Sequence, residues 1–258
     1  MRYKNLFDSH AHYADSSFDE DREILLKQIL PEQGIVFIML AGVNLTDCLQ
    51  SQELAKNYDY IYCSAGIHPE KIQNLPENWL EQIEIFAKFK KCMAIGEIGL
   101  DYHANQGNKN LQKKIFIQQL ELAKKLNLPV ILHIRDAMGD AVEILKSYQP
   151  KGVIHCYNGS AETAKELLKI NNLYFSFSGV ITYKNARKPV EALKILPLDR
   201  IMLETDSPYL APEPYRHKRC DSRFMIHTAE KMAEIKNIAT QELVTICCEN
   251  AKRLFQIA

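Results

Sequence analysis

Short apolar, β-branched runs recur along the chain, and stretches with helical spacing lie between them. The runs fall near Asn5–Asp8, Ile35–Ala41, Tyr60–Gly66, Cys92–Glu97, Pro129–Ile134, Gly152–His155, Leu173–Gly179 and Arg200–Glu204. Their length and β-branched content read as buried strands. Leu111–Asn127 carries Ile115, Leu120, Leu122, Ala123 and Leu126 near the helical period, and Asp136–Tyr148 and Ala161–Ile170 read the same way. Alternating strands and helices predict a parallel sheet, and eight such units in about 250 residues predict closure into a (β/α)8 barrel of the TIM type. An open doubly wound sheet fits less well, because no glycine-rich phosphate loop follows the first run. After Asp206 the pattern changes. Ser207–Ser222, rich in Pro, Tyr and basic residues, reads as a long loop, and helices near Met225–Ile235 and Thr240–Ile257 are expected to close the barrel from outside. Residues 1–258 are read as one barrel domain.

Composition mainly excludes. No stretch of about 18 apolar residues exists, so no membrane span is expected. The opening Met1–Asp8 has neither the apolar core nor the small-residue cleavage site of a signal peptide. Seven scattered cysteines without a C-x-x-C pair argue against a disulfide framework or a zinc ribbon and suit a reducing cytosol. The chain is therefore expected to be cytoplasmic, and it is expected to be a monomer. Basic and acidic residues balance at 32 each, so any nucleic-acid footprint must be local, and Arg216–Arg219 is the candidate.

The chemistry-bearing residues fall at the ends of the apolar runs. His10 and His12 follow the first, His68 the third, Glu97 ends the fourth, His133 and His155 the fifth and sixth, and Asp206 follows the eighth. In a (β/α)8 barrel all strand C-termini converge on one face, so these distant residues would line one mouth. His10 and His12, two apart on an extended segment, share a face. Glycines flank Glu97 and allow close approach of a ligand. Pro208 holds the residue before it extended and fixes the turn beyond Asp206. Cys156, next to His155 on a strand, should point the other way and pack. Singly, each residue has a bland reading as a cap, a turn former or a core histidine. Together, four histidines and two carboxylates form a mixed N/O set suited to Zn²⁺ or Mn²⁺ and admitting Mg²⁺. Six ligands exceed the need of one tetrahedral ion. Two ions about 3.5–4 Å apart, sharing a carboxylate and holding a hydroxide for attack, fit better.

These motifs resemble the TatD-type deoxyribonucleases of the metal-dependent amidohydrolase superfamily. The resemblance runs from Asp8-Ser9-His10-Ala11-His12 through Ala65–Pro69 and Gly96–Tyr102 to Glu204–Pro212, and takes in Pro129–Arg135, Gly152–Tyr157, Gly179–Asn185 and Glu249–Phe255. It implies a TIM-type barrel and metal-dependent 3′-to-5′ cleavage of DNA, single-stranded or frayed at its ends. It implies that His10, His12, Glu97 and Asp206 hold a first ion, that Glu97, His133 and His155 hold a second with Glu97 bridging, and that His68 lies near the scissile phosphate. Glu97 takes the place of the lysine that many amidohydrolases carboxylate. On this reading Asp206 and Glu97 serve catalysis, with Asp206 accepting or relaying the proton. Arg135, Arg216, Lys218, Arg219 and Arg223 would hold phosphates, and Tyr102 and Tyr183 would stack on bases. The chain departs from the family at Arg216–Ser222, where Arg-Gly-Lys-Arg-Asn-Glu-Pro is usual, at Ile134 in place of a serine, and at Glu70 in place of a histidine. Hydrolysis of an amide, ester or lactone by the same centre is the alternative, and a non-catalytic binding protein on the same barrel is the third reading.

Overall fold

A computed structural model describes residues 3–103 and 108–258. Its strands are β1 (Leu6–Ala11), β2 (Ile35–Leu40), β3 (Ile61–Ala65), β4 (Cys92–Asp101), β5 (Val130–Arg135), β6 (Gly152–Ile154), β7 (Leu173–Phe177) and β8 (Ile201–Leu203). They pair in chain order, every pair parallel. A parallel bridge joins Ala11 to Ser207, Asp206 N–H donates to the His10 carbonyl at 2.9 Å, and His12 N–H donates to the Ser207 carbonyl at 2.7 Å. These contacts return the eighth strand to the first, and the sheet is a (β/α)8 barrel. All eight apolar runs are strands. β1 continues past its run through Ser9 and His10 to Ala11, and β4 through Ile98, Gly99 and Leu100 to Asp101.

Helical crossovers join the strands. We label as α1 the continuous stretch Arg22–Ile24, Leu25–Ile29 and Leu30–Glu32, whose middle part is a π turn ahead of Pro31. A proline there has no N–H and crowds the preceding turn, which accounts for the widening. Then come α2 (Leu45–Asn57), α3 (Trp79–Ala87), α4 (Lys109–Leu126), α5 (Met138–Tyr148), α6 (Ala161–Leu167) and α7 (Arg187–Ile195), followed by α8 (Met225–Lys236) and α9 (Thr240–Phe255). Residues 207–221 form neither helix nor strand, as the proline-rich composition implies. No described helix is long and apolar enough to cross a membrane.

Two apolar clusters divide the core. The larger lies between the strands and the surrounding helices. The smaller gathers Phe7, Met39, Ala94, Ile131, Val153, Tyr174 and Met202, one side chain from each of seven strands. These are the inward positions low in the barrel, which is filled by side chains and forms no pore. Cys248, Ala251, Leu254, Phe255 and Ile257 join this cluster, with the Phe255 ring 6.2 Å from that of Phe7. α9 therefore completes the barrel's floor, where the sequence pattern placed it only on the outside.

Asn250 fastens α9 to β8. It is buried, and its Nδ2 donates to the carbonyls of Leu198 and Ile201, both at 2.8 Å. Replacing Asn250 with Ala leaves the buried Ile201 carbonyl and the partly buried Leu198 carbonyl without this donor, and a buried group left unsatisfied costs about 1–3 kcal/mol. We expect Asn250→Ala to lower the unfolding free energy by about 2 kcal/mol or more, read from the urea midpoint at unchanged m-value.

Candidate metal centre

Side chains two residues beyond a floor position also point inward. On β5, β6 and β8 the step from Ile131, Val153 and Met202 leads to His133, His155 and Glu204, and a further step leads to Asp206. β1 and β4 need an extra device, because His10 and Glu97 stand three residues beyond the floor residues Phe7 and Ala94. The pairing register shifts between Asp8 and Ala11 and between Ile95 and Ile98. Such irregularities re-aim the residues that follow, so both side chains face the mouth. At Gly99, where φ is +148°, an added Cβ would stand 1.9 Å from the His133 carbonyl. Only glycine lets β4 and β5 approach this closely beside Glu97 and His133.

Glu97 is the hub. It is 3 % exposed, and its two oxygens face different groups. Oε2 lies 3.4 Å from His10 Nε2 and 3.9 Å from His12 Nε2. Oε1 lies 2.7 Å from His133 Nδ1, 2.8 Å from His155 Nε2 and 3.5 Å from His68 Nε2. Asp206 Oδ1 completes the first group, 3.2 Å from His12 Nε2 and 3.5 Å from His10 Nε2. The six residues singled out as ligands, together with His68, are thus brought to one place.

The donor chemistry fits metal ions. His10 Nε2 and His12 Nε2 are 3.2 Å apart, and His133 Nδ1 and His155 Nε2 are 3.1 Å apart. Imidazole nitrogens aimed at a common point beside a carboxylate are the arrangement a divalent cation needs. The far nitrogens of two rings have acceptors: His12 Nδ1 meets the Ala41 carbonyl at 3.2 Å, and His133 Nε2 meets Asp101 Oδ2 at 3.0 Å. Such partners orient a ligand ring and set its tautomer. The groups His10–His12–Glu97 and His68–Glu97–His133 each converge closely enough to hold one ion.

Electrostatics agree with this crowding. Burial alone would push the Glu97 carboxyl up, but His155, His68 and His10 hold it well below the usual carboxylate range. Burial opposes ionisation of Asp206 as well, and its hydrogen bond to His12 with the neighbouring imidazoles brings it down. Burial lowers His10, and His155 adds to the effect. His68 falls to about 3 for want of water. Burial would lower His12 also, yet Asp206 and Glu97 lift it to about 9. His133 and His155 rise against burial, His133 through Asp101 and Glu97, and His155 through Glu97 and Glu204. Protons on these rings balance the carboxylates where cations would.

The centre opens into a cavity of about 590 Å³. His68 and Arg135 line it, along with three residues that strand-end reasoning missed: Lys71, Tyr209 and Asn158. Asp15, Asp47 and Glu70 add carboxylates to its lining. Cys156 also lines the cavity and does not pack behind the strand. β6 ends at Ile154, and Cys156 sits in a left-handed turn with φ +45°, so strand alternation no longer applies to it.

Several expected substrate contacts lie elsewhere. Arg219 makes a two-pronged ion pair with Asp21, at 2.7 and 2.5 Å, and donates to the Ser17 carbonyl. Arg223 is paired with Asp221 at 2.7 Å. Arg216 lies over the Tyr183 ring, 4.4 Å from its centre, and Lys218 over Tyr215 at 5.4 Å. Tyr102 is buried, donates to Asp140 at 2.5 Å and has Lys109 above its ring at 4.5 Å. None of these six side chains, Tyr183 included, lines the cavity. The basic loop folds back on the protein's own carboxylates and rings. Asp101 and Glu204 were also missed, although their even spacing from Glu97 and Asp206 gives both the inward face.

Comparison with known proteins agrees with this geometry. The family model of TatD-related DNases matches residues 7–256. An uncharacterized metal-dependent hydrolase of Bacillus subtilis, YabD, is 41 % identical over 255 residues, covering 98 % of this chain and 99 % of the relative. YcfH of Escherichia coli, described in the same words, is 36 % identical over 260 residues and 98 % of this chain. The crystal structure of YjjV, a TatD homologue from Escherichia coli, superposes with a TM-score of 0.92 at 27 % identity, covering 98 % of this chain and 99 % of that one. With its barrel, its clustered histidines and carboxylates, and a match along almost its whole length, the chain belongs to the family of TatD-related DNases.

Proposed function

We propose that the protein is a metal-dependent hydrolase that cleaves phosphodiester bonds of DNA from the 3′ end, taking single-stranded or end-frayed substrate. The observation that carries the hydrolase reading is the division of the Glu97 carboxylate, one oxygen toward His10 and His12 and the other toward His133 and His155. That division suits two ions sharing Glu97: His10, His12 and Asp206 for the first, His133 and His155 for the second. Divalent cations, Mg²⁺, Mn²⁺ or Zn²⁺, supply Lewis acidity and make water a usable nucleophile near neutral pH.

The chain's own groups do the rest. Asp206 is the carboxylate at the seam that accepts the proton of the attacking water. His68, on the loop after β3, faces the cavity and can hold a non-bridging phosphate oxygen. Arg135 and Lys71, both exposed at the cavity, attract the phosphate backbone. Tyr209 is 53 % exposed, is oriented by a 3.1 Å hydrogen bond to Asp15, and offers a ring on which a base can stack. The carboxylates of the lining, Asp15, Asp47 and Glu70, favour a second reading, hydrolysis of a less anionic amide, ester or lactone. Digestion of end-labelled single-stranded DNA with Mg²⁺, Mn²⁺ or Zn²⁺, beside a panel of esters and lactones, separates the two. Metal-dependent release of nucleotides from the 3′ end supports the nuclease. Turnover of the carbonyl panel alone overturns it.

Glu97→Gln keeps the side chain's shape and removes the shared negative charge. Its hydrolysis rate should fall below a tenth of wild type, a barrier increase of more than about 1.4 kcal/mol. Retained rate with wild-type metal content would show that Glu97 does not bridge. For DNA binding, neutralising Arg135 and Lys71 together should flatten the slope of log affinity against log salt, since each lost phosphate contact removes a counterion-release term. Arg219→Ala should leave that slope unchanged and lower the melting temperature instead, because its partner is Asp21. Measuring salt slope and thermal stability on both variants distinguishes the roles.

A further inference from the structure

His10 and His155 stack face to face, ring centres 3.9 Å apart and planes 8° from parallel. Their Nε2 atoms look up at Glu97. Their Nδ1 atoms, on the opposite edge, are the buried side-chain nitrogens and oxygens without a hydrogen-bond partner among the described residues. Glu204 lies on that side. It is completely buried, its Oε1 is 3.6 Å from His155 Nδ1, and one ligand atom from each of the three residues falls within 4.8 Å of the others. Glu204 is itself anchored, with Oε1 accepting Cys156 N–H at 2.7 Å and Oε2 accepting the Ser176 hydroxyl at 2.5 Å.

We propose that Glu204 is a positioning residue shared by both halves of the centre, a single carboxylate that accepts Nδ1–H from His10 under the first cluster and from His155 under the second. The inference rests on the reading of both histidines as metal ligands. A neutral imidazole that gives Nε2 to an ion carries its proton on Nδ1, so the edge facing Glu204 is a donor and not a ligand. That argues against a third ion beneath the other two. A carboxylate offers about four lone-pair sites. Cys156 N–H and the Ser176 hydroxyl take two, which leaves one for each histidine. Holding the rings by one anchored anion fixes the tautomer and tilt of a ligand in each cluster, so the two sites are coupled through Glu204 as well as through Glu97.

Zinc titration of the chelator-stripped full chain tests this, with histidine ¹⁵N NMR on the zinc-loaded protein. In wild type, both His10 and His155 should show Nδ1–H with zinc on Nε2. Glu204→Gln, which keeps the shape and loses the charge, should weaken both zinc-binding steps together by about 10–100-fold, the usual effect of losing such a partner. Glu204→Asp should recover part of that loss. Unchanged affinities in Glu204→Gln, loss at one step alone, or a third zinc that disappears with the variant would each overturn the proposal. Should the variant not fold, the wild-type spectrum decides, and zinc on Nδ1 of either ring overturns it. If wild type takes up no zinc, the metal reading of the centre falls and this proposal falls with it.

Discussion

One buried carboxylate among five imidazoles organises this molecule. Glu97 is almost without water, and a bare charge there would cost several kcal/mol. His10, His12, His68, His133 and His155 surround it at 2.7–3.9 Å and make its ionised form tenable. Burial first, then the neighbouring imidazoles, drives His10 and His68 down, while the carboxylates lift His12, His133 and His155 against burial. Divalent cations would resolve it by replacing protons with concentrated charge at two points. The register shifts in β1 and β4, the glycine at 99 and the layered barrel interior all serve to bring these side chains within reach of one carboxylate.

The interior is stratified. Apolar side chains from seven strands fill the floor, and α9 seals it. Above them comes a thin polar layer in which Ser9 donates to the Leu203 carbonyl, Ser64 to the Gly96 carbonyl and Ser176 to Glu204. Each hydroxyl there is satisfied, as burial demands. The histidines gather at the mouth beside this layer, and the exposed cavity residues Lys71, Arg135 and Tyr209 come from loops or strand ends beyond it. A rigid base below adaptable loops is the general arrangement of (β/α)8 enzymes.

Much of this was legible in the chain. Eight apolar runs are eight strands, and a metal-ligand residue type at a run's end marked each side chain that gathers at the mouth, because strand ends converge in a barrel. Other features depend on long-range partners that no local pattern encodes. Arg219 looked free as part of a basic loop, but Asp21 lies 198 residues away in sequence and claims it. Tyr102 looked like a stacking platform, but Asp140 and Lys109 occupy its hydroxyl and its face. Cys156 followed strand alternation only as long as the strand was assumed to continue. The reach of α9 into the floor was hidden because an amphipathic helix reads alike whether it lies along a barrel or across its end.

The seam between β1 and β8 sets an order in time. His12 meets Asp206 across a separation of 194 residues, and backbone bonds that also close the barrel hold His10 and His12 beside the eighth strand. Contacts of such span carry the largest loop-closure entropy and form late when a chain folds. The half of the centre built from His10, His12 and Asp206 therefore does not exist until the last strand has docked on the first. His133 and His155, 22 residues apart on adjacent strands, can come together much sooner. Assembly of the site is thus sequential by construction, with one cluster a local product of β5 and β6 and the other a record that the whole ring has closed.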